Sequence, residues 1–161
     1  MMEHTDVDIL GGGIREFNDT GTVNNIRKYP LTMSEIKATI HRLNPLAHPS
    51  VMFRRCFFDA GFRYDSKYYL CEDITMWFNA VSAGRVINNL PDIILEFRRN
   101  EKTIGRRKET VLSEFRAYNH GIYNLCGLFT TRYIFSFMRL IFRMLPTCMS
   151  NRIYEAGKIR N

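Results

Sequence analysis

A chain of 161 residues that is 45% hydrophobic and 24% charged can build one domain with a real core; it is too ordered in composition for a disordered segment and too short to suggest two domains. The net charge of +7 sits at one end, since residues 1–95 carry ten Lys/Arg against eleven Asp/Glu and residues 96–161 carry thirteen against five. Cys56, Cys71, Cys126 and Cys148 include no C-x-x-C pair, which argues against a zinc site or disulfide scaffold and for reduced, mostly buried thiols.

The polar, acidic N-terminus shows no signal-peptide pattern. Val7 to Leu10 is an apolar run that predicts a buried strand, broken by a turn at Gly11-Gly12-Gly13 and resumed at Ile14 and Phe17. No Gly-Lys-Ser/Thr follows, so these glycines are not a phosphate-cradling loop. Asn18 to Pro30 reads as a hairpin or loop, and Ser34 as the N-cap of a short helix through Ile40. Pro45 and Pro49 bracket His48 and predict an extended, poorly adaptable loop ahead of a strand at Ser50 to Phe53. Cys56 to Ala60 suits a helical turn, and Tyr64 to Leu70 an aromatic, charged loop.

Ile74, Trp77, Phe78 and Val81 fall on one face of a helix that starts near Glu72-Asp73 and ends at Gly84. Val86-Ile87 and Ile93 to Leu95 read as strands around a turn at Asn88 to Asp92, followed by a charged loop from Arg98 to Lys108. Thr110 to Leu128 predicts one helix or two, broken at Gly121. Arg132 to Leu145 is the last helix, stopped by Pro146 and too short to span a bilayer. Arg132, Arg139 and Arg143 share one of its faces, which suits an interfacial helix with a basic side towards anionic lipid. A helix simply packed on the domain fits the same pattern.

The Glu72-Asp73 pair is the sharpest chemical feature. Adjacent carboxylates at a helix start can merely satisfy backbone N–H groups and the dipole. Here they are flanked by Tyr64, Tyr68, Tyr69 and Trp77, rings of the kind that stack on sugar faces, and a carboxylate beside such rings can take a proton from an attacking hydroxyl. His48 has no second ligand nearby in sequence, which speaks against a metal role. Arg54-Arg55 and Arg98-Arg99 are weak phosphate candidates. The basic end is interleaved with aliphatic residues rather than stacking platforms, which disfavours nucleic acid as a partner.

The ordered segments DVDILGGGIREF, NPLAHPSVMFRR, AGF, CEDITMWFNAVSAG and NNLPDIILEFRR resemble the second half of bacterial family 2 glycosyltransferases. The branch is the one that builds exopolysaccharide and O-antigen repeats, the amylovoran type among them, and the ending MRLIFRMLP…RIYEAGKIR is similar too. The resemblance implies an α/β fold of the GT-A kind, here its acceptor half: a twisted mixed sheet with flanking helices over residues 1–109, then a basic helical tail over 110–161. It implies inverting transfer of a sugar from a nucleotide-diphosphate sugar to a growing, lipid-linked surface glycan, at the cytoplasmic face of the membrane. Asp73 matches the family's base and Glu72 its supporting neighbour, with His48, Tyr69, Trp77 and Arg98 as candidates for acceptor binding. A divalent cation, Mn or Mg, is implied as well, but the family's Asp-x-Asp metal motif precedes the matched segment. Asp6-Val7-Asp8 matches the strand after that motif. The expectation is therefore an acceptor half without its donor site, whose alternative reading is an inactive remnant or a glycan- or partner-binding subunit.

Overall fold

The computed structural model describes residues 6–99 and 110–144. The predicted charged loop beyond residue 99, together with Pro146 and Cys148, lies outside them.

The chain forms a mixed α/β structure around one central strand, β1 (Ile9–Phe17). β1 runs straight through the three glycines, where the sequence predicts a turn. The reason is close approach: a Cβ on Gly11 would collide with Leu46 and Asn89, and one on Gly12 would lie 2.7 Å from the Ile94 side chain. Along one edge β1 pairs in parallel with β4 (Ile87–Arg98). Along the other it pairs antiparallel with β2 (Val23–Arg27) at its C-terminal end and with the two-residue β3 (Met52–Phe53) at its start. The hairpin between β1 and β2 closes on Asn18, whose Oδ1 accepts from the backbone N–H groups of Thr20 and Thr22 at 3.1 and 2.8 Å.

β4 also corrects its reading. Asn88 to Asp92 is no turn but a slip in pairing, with Gly12 opposite Leu90 and Gly13 opposite Ile93. The irregularity accommodates Pro91, which cannot donate to a regular ladder. Beyond it, Ile93, Leu95 and Phe97 are half-buried on one face while Ile94, Glu96 and Arg98 are exposed on the other.

Five helices occur among the described residues: α1 (Met33–Thr39), α2 (Arg55–Asp59), α3 (Glu72–Ser82), α4 (Val111–Cys126) and α5 (Tyr133–Met144). α1 starts two residues earlier than expected, because Thr32 and Glu35 form a reciprocal capping box and Ser34 lies inside the first turn. His48 to Ser50 make a 3-10 turn instead of an extended loop. In α3 the predicted face, Ile74, Trp77, Phe78 and Val81, is buried, and Gly84 takes φ +73 just past its end. α4 is unbroken at Gly121, because there the helix lies against the Phe78 ring and a Cβ would strike it.

One core joins Ile9 and Ile87 of the sheet, Ile36, Leu46, Phe57, most of α3, and Ala117, Tyr118 and Ile122 of α4. The division at residue 109/110 therefore does not separate two cores; α4 is part of the first one. Of the cysteines, Cys71 is buried, with burial pushing its thiol up to about 12, whereas Cys56 is exposed.

Candidate functional site

The site begins with a strained residue. Leu70 has φ +56, a left-handed conformation unfavourable for a side chain with a Cβ, and it turns the chain abruptly into α3. Cys71 is the N-cap but makes no side-chain capping bond, so Glu72 and Asp73 occupy the first turn. Asp73 accepts a hydrogen bond from Asn44 Nδ2 at 3.2 Å. Burial raises its carboxyl above the ordinary aspartate range. The Asn44 bond, the nearby His48 and the backbone N–H groups of Ile74 and Asp73 itself act in the opposite direction and do not cancel it.

Asn44 is held in place from β4. Asn89, buried in that strand, donates from Nδ2 to the carbonyls of Pro30 and Pro45 at 2.7 and 3.0 Å, and its backbone N–H donates to Leu31 O at 2.9 Å. Asn88 Oδ1 accepts from the backbone of Met33 at 3.1 Å. The Asn-Asn pair thus ties the loops on both sides of α1 to the sheet and presents Asn44 to Asp73. Sequence reading missed Asn44 and Asn89. An asparagine pair beside a proline was the available signal, and turn chemistry explained it equally well.

Asp73 and Leu70 line two clefts at once. One, of about 640 Å³, is lined by His48, Pro49, Tyr64, Ser66 and Phe97 with Glu72 and Asp73. In it the His48 Nε2 and the Tyr64 hydroxyl are hydrogen-bonded at 2.9 Å. The Tyr64 hydroxyl is held above its ordinary pKa by burial and then by the Asp73 charge. The other, of about 380 Å³, brings Arg27, Lys28, Arg139 and Arg143 around Asp73, Asn44, Glu114 and Tyr118.

The structure thus brings together Asp73, Glu72 and His48 of the sequence-predicted residues. It does not bring in the other three. Trp77 is fully buried, stacked near Phe53 with centroids 5.9 Å apart and supporting the His48 ring at 6.1 Å, so it has no face to offer a sugar. Tyr69 is 65% exposed and lines neither cleft. Arg98 points to the opposite face of β4 from Phe97 and lies over the Phe17 ring at 5.8 Å. The phosphate candidates Arg54 and Arg99 serve the fold, Arg54 through Val7 O at 3.0 Å and Arg99 through the buried Glu16 at 3.4 Å.

Three curated proteins match along almost the entire chain. The amylovoran biosynthesis glycosyltransferase AmsE of Erwinia amylovora is 24% identical over 160 residues, 98% of this chain and 59% of its own. An Escherichia coli UDP-Gal:α-D-GlcNAc-diphosphoundecaprenol β-1,3-galactosyltransferase is 29% identical over 159 residues, covering 96% of this chain and 57% of that protein. The chain is similar to bacterial glycosyltransferases. An uncharacterised glycosyltransferase of Haemophilus influenzae, 29% identical over 95% of this chain, extends the same likeness. The chain spans less than three fifths of the length of each of these glycosyltransferases. No family profile and no solved structure matches it.

The divalent cation implied by the glycosyltransferase resemblance does not fit the residues described. No group of three or more His, Cys, Asp or Glu among them could hold a metal ion. Asp8 is used structurally, accepting from Val86 N–H at 2.9 Å and facing Arg85 at 3.7 Å.

Proposed function

We propose that this chain is the acceptor side of an inverting, family 2, GT-A-type glycosyltransferase, and that Asp73 is its base. The observation that carries the reading is the position of Asp73: a carboxylate with a raised pKa at the junction of an aromatic cleft and a cationic one. The donor is a nucleotide-diphosphate sugar and the acceptor a hydroxyl of a lipid-linked surface glycan, by analogy with the glycosyltransferases it resembles. As the acceptor oxygen attacks the anomeric carbon, its proton passes to the Asp73 carboxylate, and the bond to the nucleoside diphosphate breaks on the opposite side of that carbon. A base with a raised pKa suits this step, because it holds the proton better once taken. Asn44 orients the carboxylate, and His48 with Tyr64 forms the wall against which the sugar lies.

The last helix, α5, supports a reading of the place of action. Its exposed residues are Ile134, Phe137, Met138, Ile141, Phe142 and Met144, and Phe129 just before it is 97% exposed. No described helix is long and apolar enough to cross a membrane. We assign this face to a lipid surface, at the cytoplasmic side where nucleotide sugars are found, with the helix lying on the surface.

The test is transfer of labelled sugar from a panel of nucleotide sugars to a diphospholipid-linked sugar. The chain joined to a nucleotide-sugar-binding segment is expected to form the elongated glycolipid. The 161-residue chain alone is expected to release no nucleoside diphosphate. A joined protein that binds the glycolipid but never extends it would instead favour a glycan-binding subunit.

A further inference from the structure

The cleft of about 380 Å³ has an electrostatic character that general-base chemistry does not require. Among the described residues, its walls carry Arg27, Lys28, Arg139 and Arg143 against Glu114 and Asp73. Arg27 and Lys28 come from the end of β2, and Arg139 and Arg143 from α5, so the cations approach from two separate elements. Both α5 arginines share one oxygen of Glu114, at 3.3 and 3.1 Å. That single carboxylate cannot neutralise them both, and Arg139 also keeps a buried Nε without a partner. Arg27 shares the buried Glu16 with Arg99, at 3.4 Å each. Among the described residues, no Lys or Arg lines the aromatic cleft on the other side of Asp73. Paired forks of this kind suit tetrahedral oxyanions carrying more than one charge.

We infer that this cationic cleft binds a diphosphate, and that the diphosphate is the one linking the acceptor sugar to its lipid. The inference rests on the reading of Asp73 as base. In an in-line displacement the nucleoside diphosphate leaves on the far side of the reacting carbon from the attacking hydroxyl. A diphosphate seated on the same side as the base therefore belongs to the acceptor. α5 connects the two ends of such a ligand: its inner side supplies Arg139 and Arg143 to the cleft, and its outer side is the apolar surface along which a polyprenyl chain would leave.

The experiment is calorimetric titration of the 161-residue chain with inorganic pyrophosphate, farnesyl diphosphate and UDP. Pyrophosphate is expected to saturate one site, and farnesyl diphosphate to bind more tightly at the same site. Lys28→Ala, at an exposed position, and Arg143→Gln should each weaken both by about tenfold, as loss of one charge-assisted contact does. Lys28→Ala should leave the melting temperature unchanged, so its loss of binding cannot be misfolding. No saturable pyrophosphate binding, or binding indifferent to both substitutions, would overturn the site. UDP binding more tightly than farnesyl diphosphate, with the same dependence on Lys28 and Arg143, would assign the cleft to the donor and overturn the acceptor assignment. Asp73→Asn is expected to leave pyrophosphate binding intact or strengthen it by removing a like charge. The diphosphate site and the base are therefore judged by separate readouts.

Discussion

Asp73 sits where a charge is costly, and that cost has a sign in pH. Its folded pKa is raised, chiefly by burial, above the value of about 3.9 expected in an unfolded chain. The stability it contributes is therefore full below the unfolded pKa and is lost as pH rises through the folded pKa. Asp73→Asn is thus expected to be at least as stable as the parent chain at pH 7. That advantage should disappear near pH 3, where Asp73 itself is neutral, and urea denaturation at the two pH values checks both statements. The catalytic consequence runs the other way. On the proposed role of Asp73 as base, transfer needs the carboxylate, so the acid limb of the rate profile should fall at a pH above that of an ordinary aspartate. Asn44→Ala removes the side-chain bond that stabilises the charged form, so it should move that limb to still higher pH while costing about 1 kcal/mol of stability. An acid limb that stays put in Asn44→Ala would show that Asn44 does not tune the base.

At the scale of elements, the site depends on how closely β1 can approach its neighbours. Gly11 and Gly12 let Leu46, Asn89 and Ile94 lie directly on the strand, and Asn89 is what fixes the loop carrying Asn44. Gly11→Val should therefore cost about 1–3 kcal/mol, the usual range for overpacking a tight core, read as a drop in the urea midpoint. The same feature explains what could be read in advance. α3 was legible because a buried face at helical spacing, first-turn carboxylates and a terminal glycine all point to one answer. The three glycines and the Asn-Asn-Leu-Pro-Asp run were not, because local sequence marks them as turns and only the partner strand makes them a ladder and its irregularity. Asp73 was singled out because it stands in a carboxylate pair at a helix start beside aromatic residues, and His48 because it lies between two prolines. Asn44 and Asn89 act through loops distant in sequence, and no local pattern joins them. Trp77 misled for a related reason: a tryptophan beside carboxylates suggests a sugar platform, but its spacing already placed it on the buried face.

For the whole molecule, the unexpected result is the orientation of the last helix. The arginines expected to face anionic lipid are turned inward. Arg139 and Arg143 clasp Glu114 of α4, and Arg139 lies 4.1 Å above the Tyr118 ring. Arg132 reaches Cys126 Sγ at 2.8 Å. The outward surface is apolar instead. Sedimentation with vesicles should therefore depend on the apolar face more than on lipid charge, with neutral and anionic phosphatidyl lipids within a few-fold of each other. Phe137→Glu with Ile141→Glu should abolish it. A strict requirement for anionic lipid would contradict this orientation. Glu114→Gln should loosen the attachment of α5 by about 2–4 kcal/mol, since it leaves two half-buried guanidinium groups without their shared carboxylate. Faster amide exchange confined to α5 would show it.

The central claim is that Asp73 performs the proton transfer of a glycosyl transfer, and turnover of Asp73→Asn tests it most directly. The protein to assay is the chain joined to a nucleotide-sugar-binding segment, with saturating donor and lipid-linked acceptor. The change is nearly isosteric and should leave the fold intact, yet kcat should fall by roughly two to four orders of magnitude, as loss of a general base does. Glu72→Gln, one residue away in the same helical turn, should be far milder. Near-normal turnover with Asn at position 73 would contradict the account and leave Asp73 a helix-terminal carboxylate with no part in the chemistry.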